Sequence, residues 1–248
     1  MNNKKDEGQN GNYGIESNTI LLKNILEESV YVIPAYQRPY EWKYSQIDKV
    51  LEEIFSLADN EASKEEYAFL GSLQFNINEN EEKEIIDGQQ RITVLLLFIN
   101  ALEKTGNVRS IDLCEYYNET LESFDKMLEY GFDEKRMREN GILEECTEKD
   151  ILDQCDALKE IWDTLVRCVN DVVPRRRTSL LDKVLKSSFN VILSNESGGT
   201  TSNSICVDYY LDLNAKAVKL DSIDILKAEL FRKNYQLMTE KWKNVQRA

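Results

Sequence analysis

Residues 70–102, LGSLQFNINENEEKEIIDGQQRITVLLLFINAL, pass through three patterns without interruption. Leu73, Phe75 and Ile77 alternate with Gln74, Asn76 and Asn78, which predicts a half-buried strand. The polar NENEEKE turns the chain, and EIID supplies a short partner strand, so a β-hairpin is expected. RITVLLLFINAL is then apolar on nearly every side, broken by Thr93 and Asn100, as in a helix covered all round. A hairpin feeding a buried helix points to an α+β fold.

Between strand and helix stand Asp87, Gly88, Gln89, Gln90 and Arg91. One reading is local. Asp87 at the N-cap with Gln90 three residues on is a variant capping box, and Asp-Gly suits the turn. The other reading uses the same geometry for a ligand. A helix N-terminus offers unpaired N–H groups and a positive dipole end to a phosphate. Gly88 permits close approach to the backbone, and Arg91 forks two phosphate oxygens. Asp87 suits Mg2+, and a glutamine such as Gln90 suits the attacking water of nucleotide hydrolysis.

Upstream, SNTILLKNILEES carries Ile20, Leu21, Ile25 and Leu26 at helical spacing, with Ser17 or Asn18 as cap. VYVIPAYQRPYEW reads as a strand leaving into an ordered loop. There Tyr36, Tyr40 and Trp42 bury rings with Arg38 stacked on one, or Gln37 and Arg38 point into the pocket that DGQQR faces. Ser45 is expected to cap a helix whose stripe is Ile47, Val50, Leu51, Ile54 and Leu57.

Downstream, residues 111–171 read as helical, with Ile151, Cys155, Leu158, Trp162, Leu165 and Val169 at bundle spacing. PRRR, 174–177, is expected as a solvated loop or a phosphate-contacting patch. TSLLDKVLKSSF continues as helix, NVILS as strand, and 194–204 as a low-complexity loop. ICVDYYLDLN is compatible with strand or short helix. LDSIDILKAELF predicts a helix running through Ile223, Leu226 and Leu230. MTEKWKNVQRA reads as a helix without a stop signal, as expected of the N-terminal part of a longer protein.

The chain has 248 residues and a formal net charge of −14, which argues against a general nucleic-acid-coating surface. No apolar run spans a bilayer, and the leader has no signal-peptide core, so a cytoplasmic protein is expected. Five cysteines without a C-x-x-C pair suit a reducing compartment. Histidine is absent, which removes Ser-His-Asp and Cys-His triads, HNH nucleases and H-E-x-x-H proteases. There is no G-x-x-x-x-G-K-[ST] and no G-x-G-x-x-G after a strand. The E-x-K of Glu81-Glu82-Lys83 lies in an acidic turn without an upstream partner.

IPAYQRPYEW, FLGSLQFNIN and IIDGQQRITVLLLFINAL together resemble the N-terminal domain of GmrSD-type, modification-dependent restriction proteins. A later segment, YYLDLNAKAVKLDSIDILKAEL, resembles that family's Asn-containing turn and following helix through Asn214, Leu220, Asp224 and Lys227. Ala217 stands where that turn usually has glycine. The resemblance implies a small ParB/sulfiredoxin-like mixed sheet with helices, joined to a helical bundle. The expected parts are a disordered leader (1–14), a ParB-like nucleotide-binding domain (15–108) and a mainly helical part with a short strand region (109–248).

The implied function is an NTP-binding, NTP-hydrolysing regulatory domain of an anti-phage restriction system, using GTP or another NTP with Mg2+. Asp87, Gln90 and Arg91 are its expected catalytic residues, with Asp87 on the metal. Gln37, Arg38, Gly88, Gln89 and Lys227 are expected to bind nucleotide. Phage or modified DNA and a nuclease domain or subunit are the expected partners, with homo-oligomers left open and no membrane. The alternatives are a non-catalytic nucleotide- or DNA-sensing module and a carboxylate–Mg2+ phosphodiesterase.

Overall fold

The computed structural model describes residues 14–28, 31–32, 34, 36–38, 40–59, 68–77, 83–106, 108–111, 113, 115–141, 148–195, 207–208, 210–212, 222–233, 237–238 and 241. The expected hairpin is present: β3 (Phe69–Ile77) pairs antiparallel with β4 (Lys83–Asp87). The helix α3 (Gln89–Gly106) follows and is buried over most of its circumference. Asn100 is one polar group inside it, and its amide donates to Asp125 at 3.2 Å.

Around the hairpin forms a five-stranded mixed sheet of order β1-β5-β3-β4-β2. β1 (Gly14–Leu21) pairs antiparallel with β5 (Ser188–Asn195), which runs parallel to β3. β2 (Tyr31–Val32) adds two residues parallel to β4. The strand expected within the mainly helical part thus lies inside the sheet of the N-terminal part, between β1 and β3. The helical spacing read across 17–29 divides into a strand and then α1 (Leu22–Glu28), which buries Leu22, Ile25 and Leu26. Pairing with a strand 173 residues away, marked by Ser17 Oγ donating to Asn190 Oδ1 at 2.9 Å, overrides the local period. Gly14, placed in the leader by sequence, opens β1.

α2 (Tyr44–Asp59) buries Ile47, Val50, Leu51 and Ile54 as expected; the Leu57 side chain lies outside the described residues. Its start is two residues earlier than Ser45 as N-cap would set. Lys43 N–H donates to Gln46 Oε1 at 3.1 Å, the reciprocal half of a capping box. Next come α4 (Glu115–Glu129), α5 (Glu134–Glu139) and α6 (Glu148–Asp171), then α7 (Pro174–Lys186). α6 and α7 pack on α3 and α2. The side chains of Ile151 and Cys155 in α6 lie outside the described residues.

PRRR is the first turn of α7 and not a loop. Pro174 suits that turn because its missing N–H would be unpaired there anyway. Arg177 is structural: its guanidinium donates to Val172 O at 3.0 Å and Thr105 O at 3.3 Å, carbonyls at the ends of α6 and α3.

Within ICVDYYLDLN, residues 207–208 and 210–212 are helical, and 205–206, 209 and 213–214 lie outside the described residues. α8 (Ser222–Lys233) buries Ala228 and Phe231. Leu226 and Leu230, expected on its inner stripe, are 60% and 40% exposed. Three apolar clusters occur among the described residues, the least of them around Met137 between α4 and α5. Of the other two, the larger lies among α1, α2, α3, α6, α7 and the sheet; the smaller joins Tyr36, Ile86, Val207, Tyr210, Ala228 and Phe231. Ile85 belongs to the first and its neighbour Ile86 to the second, so β4 is walled on both faces.

The leader up to residue 13, the turn at 78–82, residues 196–204, Asn214, Ala217, Leu220 and 242–248 lie outside the described residues, as does the Asp224 side chain. Among the described residues no helix is long and apolar enough to cross a membrane.

Candidate functional site

The site begins with an irregularity in β4. Gln74 pairs with Asp87 and Phe75 with Ile85, which leaves Ile86 as an extra residue, a β-bulge. The Ile85 and Ile86 carbonyls converge on one donor: Gln37 Nε2 gives hydrogen bonds to them at 2.9 and 2.8 Å. One amide therefore extends the edge pairing that β2 began two residues earlier.

The next contacts run the other way, from the start of α3 back to the loop. Gln89 Nε2 donates to Arg38 O at 2.8 Å. Gln90 Oε1 accepts from Glu41 N at 2.8 Å and Trp42 N at 3.2 Å. Lys227, from α8, donates to Gln37 O at 2.7 Å across 190 residues of sequence. Gln37, Arg38, Gln89 and Gln90 are all buried, at 6–8% exposure. Three segments far apart in sequence are thus laced into one knot, and the lace is side chain to backbone.

This gives the amides a role that the sequence left undecided. The Gln90 oxygen, expected to orient a water, already holds two backbone N–H groups. Gln89 Oε1 is buried without a hydrogen-bond donor among the described residues. Arg38 pairs with an acid: its Nη1 lies 2.7 Å from Glu41 Oε2, with the guanidinium side chain 7% exposed. The helix start also differs from the capping-box reading. Asp87 closes β4, and Gly88 O accepts from Ile92 N, so Gly88 is the capping residue. Gly88 has φ +101°, and a Cβ there would lie 2.2 Å from Leu73 Cδ2. What approaches its backbone is a leucine.

Asp87, Arg91 and Lys227 are the half-exposed groups of the set. Arg91 Nη1 donates to Ser72 O at 3.0 Å. Burial lowers the pKa of its guanidinium, and Asp87 and Glu53 oppose that through their negative charge. Its seat is Gly71, at φ +89° beside a β3 register shift, where a Cβ would come within 3.3 Å of Arg91 Nη1. Sequence reasoning missed Gly71 and Glu41. Glycine inside a strand pattern was the available signal for the first. An acid three residues after Arg38 was the signal for the second.

Among the described residues no three metal-ligating side chains cluster. Mg2+ is commonly held by one or two carboxylates together with substrate phosphates and water. Asp87, half-exposed beside Arg91, fits that donor set, and an all-protein cage does not.

The architecture is a mixed α+β domain whose helix mouth is tied by three amides and a lysine to a proline-bounded loop. Residues 19–231 match the model of the GmrSD restriction endonuclease N-terminal domain. The chain belongs to that family, which makes it a restriction-system domain. No match was found among curated proteins.

Proposed function

We propose that this domain binds a nucleoside triphosphate, GTP or another NTP, at the mouth of α3 and hydrolyses it with Mg2+ to control DNA restriction. The observation that carries the reading is the hydrogen-bonded meeting of Gln37-Arg38, Gln89-Gln90 and Lys227, with Asp87 and Arg91 flanking the two glutamines in sequence. Family membership supports the restriction setting, with phage or modified DNA and a nuclease domain or subunit as partners.

The roles follow from accessibility. Arg91 and Lys227 are cations at the rim, placed to meet phosphate oxygens; Arg91 offers the bidentate fork. Asp87 would hold Mg2+ together with phosphate oxygens and water, and the ion would neutralise charge that develops on the transferred phosphoryl group. Gln37, Gln89 and Gln90 are positioning residues that fix loop and helix mouth before ligand arrives, which reduces the ordering cost of binding. Arg38 forms the wall behind them, clamped by Glu41.

The occupied Gln90 oxygen favours a second reading, a module that binds nucleotide without turnover and signals to a nuclease. Phosphate release and nucleotide binding measured on one sample separate the two. Hydrolysis is expected in the wild type, lost in Asp87→Ala and Arg91→Ala, and retained in Glu82→Ala. Binding without phosphate release, with or without DNA, would establish the sensing module instead. Full activity in folded Asp87→Ala and Arg91→Ala would remove the site assignment.

A further inference from the structure

Beside the knot, on the far side of the 40–44 segment, lies a cavity of about 420 Å³ between that segment and α6. This is within the ~300–1,000 Å³ range of small-molecule sites. Its aromatic lining is Tyr40, Trp42 and Tyr44, and its polar lining includes Thr164 and Glu160. Thr164 is 5% exposed, and the Tyr40 hydroxyl is buried without a hydrogen-bond partner among the described residues. Ile47 and Ile161 contribute an apolar floor, each at most 2% exposed.

Charge narrows the ligand. The lining carries Glu160 and Lys43, and the Glu41 carboxylate there is paired with Arg38, so no surplus positive charge is left to hold a phosphate group. Aromatic side chains accept planar rings by stacking, a hydroxyl such as that of Thr164 can accept or donate at a ring edge, and a carboxylate accepts there. We infer that this cavity is a binding site for a nucleobase-type ring, entered ring-first with any phosphate outside. The ring comes from a free nucleoside or from a base turned out of DNA. Its wall is hung from the candidate site, because Gln90 Oε1 holds the Glu41 and Trp42 N–H groups. The cavity is therefore preformed by the same glutamine that frames the mouth of α3.

The test is a calorimetric titration of the whole chain without Mg2+, using guanosine, cytidine and uridine, then a mixed-sequence single-stranded oligonucleotide. Phosphate-free nucleosides make the outcome independent of the triphosphate reading. Guanosine and cytidine, whose amino groups donate to a carboxylate, are expected to bind more tightly than uridine. Tyr44, 51% exposed, and Glu160, also exposed, are replaceable with little effect on folding. Tyr44→Ala is expected to weaken binding about 5- to 150-fold, the range of one lost stacking contact. Glu160→Gln is expected to reduce the preference over uridine. Nucleoside binding assigns the free ligand, and oligonucleotide binding alone assigns an extruded base. Absence of both, or binding unchanged in both variants, overturns the inference.

Discussion

One amide nitrogen of Gln37 serves two carbonyls of a bulged strand, and removing it strands both. Gln37→Leu keeps the volume and loses the donors, so unfolding free energy is expected to fall by about 1–3 kcal/mol, the cost of buried groups left unpaired. Urea denaturation checks this, and an unchanged midpoint would show that the lace is dispensable. Gly88→Ala meets both a left-handed backbone angle and a 2.2 Å clash with Leu73 Cδ2. A loss of about 1–3 kcal/mol is expected from strain alone. By contrast, Arg91→Ala removes a half-exposed cation with one backbone contact, so stability should change little while ligand affinity falls. A large fall in melting temperature with Arg91→Ala would make it a structural residue. At this scale the sequence was readable in part: hydrogen bonds join Gln37, Arg38, Gln89, Gln90 and Lys227 in one network, while Arg91 turns instead to Ser72 and Gly71. It was not readable for partners, because those partners are mostly backbone atoms. An amide that grips a carbonyl and an amide that grips a water have the same letter.

At the scale of elements, legibility followed the range of the deciding contact. The β3–β4 hairpin and α3 were evident because their periods are set within a few residues. β1 was not, since Ile20, Leu21, Ile25 and Leu26 keep helical spacing across a strand–helix junction that only β5 defines. The α8 stripe failed for a related reason. This helix meets the sheet through the small cluster around Ile86, and Ala228 and Phe231 face it while Leu226 and Leu230 do not. Phe231 contacts Tyr36 edge-on, with ring centroids 6.1 Å apart, and Tyr36 adjoins Gln37. Phe231→Ala is therefore expected to cost about 3–5 kcal/mol, as large-to-small core changes do. It is also expected to release the 36–42 loop. Hydrogen exchange checks both. Faster exchange at the Glu41 and Trp42 amides is expected, and unchanged protection there would separate α8 from the site.

Across the whole molecule, a chain of charge −14 places two partly exposed cations on the frame around the α3 start: Arg91 on β3 through Ser72 O, and Lys227 on the loop through Gln37 O. That contrast supports a site for a compact anion and opposes a surface for long nucleic acid. The fold explains why the mouth stays in place: β4 is covered on both faces, and residues from the loop, α3 and α8 tie down its end. On the proposed function, cations held by such a frame would meet a triphosphate without rearranging. Calorimetric titration with ATP, GTP, CTP and UTP in the presence of Mg2+, repeated on Arg91→Ala, measures this directly. The account predicts binding of at least one nucleotide, weakened about 10- to 150-fold in Arg91→Ala by the loss of a charge-assisted contact of about 1.5–3 kcal/mol. Heat signals at baseline for all four with folded wild-type protein, or equal affinity in the variant, would contradict it.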